Sequence, residues 1–167
     1  MKSSFAAVIM VASSIERAAP PSENLVKSCL QARPVASSVT IRNINVDEAF
    51  REDDYADGFN AGYIFKYGGA DMGYAEGKSD QALIYSGKLY RLSKSIPIGN
   101  NGEVKSTAFN PMLAQWSLAK DGKHQYFCVG FNFDGLGQSG SFQNVHGGYL
   151  LNLKNKDLYF VVRDVRQ

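Results

Sequence analysis

Hydrophobic positions recur at two different periods along the chain, and the change between them separates a short helical beginning from a long β-rich body. Leu25, Val26, Cys29 and Leu30 share one face of a helix that Pro20-Pro21-Ser22 introduces, with Ser22 placed to cap it and Arg33-Pro34 to end it. Val39, Ile41 and Asn43 then alternate as a short strand. Asp47 is placed to cap a brief acidic helix that stops at Asp57-Gly58. From there the period is two.

Phe59, Ala61, Tyr63, Phe65 and Tyr67 fall on one face of a strand that runs into Gly68-Gly69. Residues 82–85 and 88–92 flank Ser86-Gly87, which reads as a hairpin turn. Pro97 and Asn100-Asn101-Gly102 break the chain before a weaker strand around Val104. Residues 115–118 and 124–133 flank a second hairpin signal, Lys120-Asp121-Gly122, and Phe127, Val129, Phe131 and Phe133 share one face of the longer strand. Residues 149–153 and 158–165 repeat the arrangement around Lys154-Asn155-Lys156-Asp157. The similarity of Ala61-Gly62-Tyr63 to Met72-Gly73-Tyr74 does not extend to the flanking residues and reads as coincidence. The fold class that follows is mainly β (α+β): an antiparallel meander curled into a barrel or sandwich, with one or two short N-terminal helices.

The N-terminus changes the picture in one respect. Lys2, the uncharged apolar residues 5–12 and the small pair Ser13-Ser14 have the order of a secretory signal, so residues 1–19 read as a signal segment and residues 20–167 as a single β-rich domain. Export to the periplasm or medium would place the two cysteines in an oxidising compartment. Cys29 lies on the apolar face of the predicted helix, and Cys128 points away from Phe127, Val129 and Phe131, beside Tyr126, Gly130 and Asn132. Gly130 lets another segment approach closely, and the helix carrying Cys29 is a candidate, which would make Cys29–Cys128 a disulfide. The competing expectation is a cytoplasmic chain whose first segment is an amphipathic core helix with Phe5, Val8, Ile9, Ala12 and Ile15 inward. No stretch is long enough to form a transmembrane helix.

Composition excludes more than it identifies. A net charge of +2 over 167 residues, without a basic run, argues against nucleic acid. Gly135 to Gly140 has the spacing G-x-G-x-x-G, but the segment after it contains Gly147-Gly148 and reads as loop and strand rather than the helix a dinucleotide needs. Asp53, Asp57 and Gly58 start like a calcium loop, yet Tyr55 and Ile64 occupy ligand positions. His124 and His146 lack zinc-ligand neighbours, and Ser139, Ser141 and His146 lack an orienting carboxylate. No cofactor, metal or catalytic residue is implied, and an enzyme is the weaker class.

Binding is the stronger one. Nine tyrosines suit interfaces, and Tyr55 sits within an acidic run of Asp47, Glu48, Glu52, Asp53, Asp54 and Asp57 that only Arg51 offsets. Asp53, Asp54, Tyr55 and Asp57 are therefore candidates for contact with another protein of basic surface. Gln138, Phe142, Asn144 and His146, in a glycine-rich connection, are the second group. The expected function is an exported protein-binding protein, of the kind that inhibits an enzyme or gives immunity to a toxin. The alternatives are a small β-barrel carrying an apolar ligand, with Phe65, Tyr67, Phe131 and Phe133 lining its cavity, or a hydrolase.

Overall fold

The computed structural model describes residues 19–101, 111, 114–132 and 145–164. Its helix, α1 (Glu23–Gln31), starts where Ser22 Oγ accepts from the Leu25 amide at 3.2 Å and donates to Asp121 Oδ2 at 2.6 Å. It ends at Ala32 in the left-handed region, whose amide and that of Arg33 close on the carbonyls of Cys29 and Ser28. Leu25, Val26, Cys29 and Leu30 are buried, the face that helical spacing selects.

Eleven strands follow among the described residues: β1 (Val39–Ile44), β2 (Phe50–Ala56), β3 (Phe59–Tyr67), β4 (Ala70–Glu76), β5 (Gln81–Tyr85), β6 (Lys88–Arg91), β7 (Ile96–Pro97), β8 (Gln115–Asp121), β9 (His124–Asn132), β10 (Val145–Asn152) and β11 (Leu158–Asp164). They form two sheets. The larger has the order β1-β8-β9-β10-β11-β7 and the smaller, β2-β3-β4-β5-β6, is an uninterrupted meander. Pairing is antiparallel except where β7 runs parallel to β11.

The sheets lie face to face over one apolar interior, to which Phe65, Met72 and Leu83 come from one side and Trp116, Phe127, Val129, Phe131, Tyr149 and Phe160 from the other. Rings organise it: Trp116 meets Phe65 edge-on at 5.4 Å and stacks near Phe127 at 5.7 Å, while Tyr149 lies between Phe131 and Phe160 at 5.8 and 5.1 Å. The opposite face of the large sheet is covered by α1, whose apolar residues pack on Val39, Ala119, Tyr126, Leu150, Tyr159 and Val161. The strand period thus sends alternate residues of β9 to two separate cores.

The two sheets do not close into a barrel, so the sandwich is the architecture adopted. Phe65 and Phe131 belong to the packed interior and Tyr67 packs against it; of the three only Phe65 also reaches the wall of a cleft, described below. The acidic helix expected after Asp47 is absent, because residues 50–56 form β2 at the edge of the small sheet. A helix there would have no continuous apolar stripe to bury, whereas the exposed charges suit an edge strand and hinder further pairing. β4 was not apparent in the sequence, since Gly73 and Asp71 interrupt its apolar positions. Phe59 departs from the expected face and packs with Ala75, Ala82 and Ile84, under the Arg91 guanidinium at 4.6 Å from its ring centre. It lies beside a register shift between Asp53 and Ala56, where a bulge alters the local twist. Residues 1–18 of the leader expected over 1–19, and the strand expected near Val104, fall outside the described residues.

Candidate functional site

β2 carries the acidic candidates. Asp53 pairs with Ala61 and Ala56 with Phe59, so Asp54 and Tyr55 together oppose Asn60 as a bulge. Asp54 takes φ +51°, a left-handed conformation that Asp tolerates better than most residues. Asp53, Asp54 and Asp57 are exposed; Asp53 Oδ1 receives Arg51 Nη2 at 2.8 Å, and the Asp57 carbonyl accepts from Arg91 Nη2 at 3.3 Å. Among the described strands, β2 pairs on one side only, leaving its outer edge open.

Tyr55 is placed differently from its acidic neighbours. Its ring lies over Gly62, where a Cβ would come within 2.6 Å of the ring carbons, and it joins the cluster around Phe59, Ala75 and Ile84. Burial, with Glu52 and then Asp71 adding to it, raises its hydroxyl pKa. It is half-buried, with its ring covering the sheet surface at Gly62.

The second group divides. His146 is half-buried on β10, with Nδ1 3.2 Å from the Leu30 carbonyl, so it abuts the end of α1. Gln138, Phe142 and Asn144 lie outside the described residues, as do Phe133 and the G-x-G-x-x-G segment. The disulfide is formed: Cys29 on α1 joins Cys128 on β9 with their Cα atoms 5.6 Å apart. Gly130 makes room for it, since a Cβ there would stand 2.8 Å from the Cys29 carbonyl oxygen. Asp53 to Gly58 ends in a hairpin turn, with Asp57-Gly58 linking β2 to β3.

A further site went unnoticed in the sequence. Where the chain leaves β1 for the small sheet, the two sheets part around a cleft of about 910 Å³. Its aromatic wall is Tyr63, Phe65, Tyr74 and the margin of Trp116; carboxamides of Gln31, Asn43, Asn45 and Gln115 surround it. Tyr63 and Tyr74 are opposite one another on β3 and β4 and stack at 4.7 Å. Burial, reinforced by Glu76 and Tyr63, pushes the Tyr74 pKa up to about 12, so the phenol stays neutral and can donate as well as accept. Gln31 Oε1 is held by Arg33 Nε and Nη2 at 3.1 and 2.9 Å. Five separate segments contribute these residues, which is why no local pattern announced them.

Among the described residues, no group of three or more His, Cys, Asp or Glu is arranged to hold a metal, and no helix is long and apolar enough to cross a membrane. Comparison with known proteins found no match to a family model, a curated protein or a solved structure.

Proposed function

We propose that the protein is exported and binds another protein, one with a basic surface, through β2, as an inhibitor or immunity protein that neutralises an enzyme or toxin. The observation that carries this reading is the open edge of β2, on which Glu52, Asp53 and Asp54 are exposed, with Asp57 exposed in the turn that follows and Arg51 and Arg91 as the nearby opposing charges. Such an array speeds encounter with a positively charged surface and helps to set its register. The Cys29–Cys128 bond fits a protein that works in an oxidising compartment.

Two measurements test the reading. The intact mass of protein recovered without reductant from its host's cell fractions should show loss of the leader and of two hydrogens. A photo-crosslinking residue in place of Glu52 should then capture a basic protein from the same compartment. Binding of that protein should weaken by about tenfold or more in the triple variant Asp53→Asn, Asp54→Asn, Asp57→Asn, mainly through a slower and less salt-sensitive association. Asn suits the left-handed position 54, so the strand should survive the change. A reduced, full-length cytoplasmic chain, or unchanged affinity in the triple variant, would sink the proposal.

A further inference from the structure

The cleft between the sheets differs chemically from the acidic edge beside it. Among the described residues that line it, none carries a formal charge. The charge bonded to a lining residue is the Arg33 guanidinium, which is engaged with Gln31 Oε1 at 3.1 and 2.9 Å. A charged ligand would give up its hydration there without gaining a counter-charge. A wholly apolar ligand would strip water from the carboxamides and leave them unmatched.

The remaining match is a neutral molecule that combines apolar C–H surface with many hydroxyls. Each carboxamide offers both a donor and an acceptor, and so does each sugar hydroxyl. Aromatic faces carry negative potential and attract the weakly positive C–H groups of a saturated ring. Tyr63 is suited to this role: its half-buried ring lines the cleft and is held in place by stacking on Tyr74 at 4.7 Å. Asn43, Asn45 and Gln115 are exposed around it, within a volume ample for several linked rings.

We propose that this cleft binds a neutral oligosaccharide, with Tyr63 as the stacking platform and Asn43, Asn45 and Gln115 as hydroxyl-binding groups. The site is separate from the β2 edge and does not depend on protein binding there. Its occupancy has a built-in reporter, because Trp116 is the chain's single tryptophan, lies 7% exposed and lines the cleft.

The test is an array of neutral and anionic glycans probed with the disulfide-bonded protein, followed by titration of the best neutral glycan against Trp116 fluorescence. We expect saturable binding of a neutral glycan, weakened about tenfold by Tyr63→Ala and about tenfold by the double variant Asn45→Ala, Gln115→Ala. The double variant alters exposed side chains only and should leave the fold intact, and both variants are read beside their circular dichroism. Several results overturn the proposal: no neutral glycan bound anywhere on the array, binding that survives the double variant, preference for anionic glycans, or a fluorescence response produced equally by a neutral peptide such as tetraalanine. None of these would touch the β2 reading, which the triple Asp→Asn variant tests alone.

Discussion

Gly130 and Gly148 face each other across β9 and β10 and form a shallow floor under the last turn of α1. The two positions are not equivalent. A Cβ on Gly130 would meet backbone, the carbonyls of Cys29 and Leu30 at 2.8 and 3.1 Å, whereas on Gly148 the nearest atom is the flexible end of the Leu30 side chain at 2.6 Å. Gly130→Ala should therefore cost about 1–3 kcal/mol and Gly148→Ala less, measured as the shift in urea midpoint at constant slope. Equal costs would mean that α1 is free to lift. The role of Gly130 was legible because alternation alone put it beside Cys128. That of Tyr55 was not, since covering Gly62 depends on a bulge that leaves no mark in hydrophobic pattern. Tyr55→Ala should destabilise by about 1–2 kcal/mol while Tyr55→Phe changes little; a Phe variant that folds normally yet loses partner binding would assign the hydroxyl to recognition.

Elements followed the sequence wherever pattern and turn agreed. β3, the β5–β6 and β8–β9 hairpins, and β10–β11 all combine period-two apolar residues with glycine or polar turn residues. β2 and β4 lack that agreement: the first is a charged edge, and the second includes Gly73, whose Cβ would lie 1.9 Å from the Tyr63 carbonyl oxygen. α1 is the element most dependent on a distant partner, because nine residues make a marginal helix in isolation. Its anchor is the bond across 99 residues of sequence. Replacing Cys29 and Cys128 together by Ser should cost about 2–5 kcal/mol in denaturant unfolding, and adding reductant to the wild type should reproduce most of that loss. A variant as stable as the oxidised protein would leave α1 held by its apolar face alone.

At the scale of the molecule, burial of phenols inside the sandwich links stability to alkaline pH. The Tyr74 pKa is raised to about 12, chiefly by burial, and that of Tyr149 is also raised, by burial and then by Asp80. The folded state thus holds these protons more tightly than the unfolded chain, where tyrosine ionises near pH ~10. Their contribution is fully present below that pH and is lost as pH rises through about 12 for Tyr74. The urea midpoint should therefore be flat through neutral pH and fall steadily above about pH 10, less steeply in Tyr74→Phe. A midpoint independent of pH in that range would contradict the burial. The oligosaccharide cleft belongs to this scale too and was illegible for the same reason: α1, β1, β3, β4 and β8 meet there only after both sheets exist.

The two sheets differ in how far along the chain their strands are drawn. β2 to β6 occupy residues 50–91 without interruption, each strand paired to the next, whereas β1 must wait for β8, with Ile44 opposite Trp116. Loop closure between neighbours is quick, and closure across the whole meander is slower. The small sheet and the β8–β11 meander are thus local events in time, and the docking of β1 on β8 is a late one, completed when the C-terminal half arrives. Alanine substitutions in the β3–β4 hairpin should slow refolding in proportion to the stability they remove, while substitutions in β1 should chiefly hasten unfolding, as stopped-flow kinetics would record. For a chain that emerges amino-terminus first, the first strand made would be among the last to find its place.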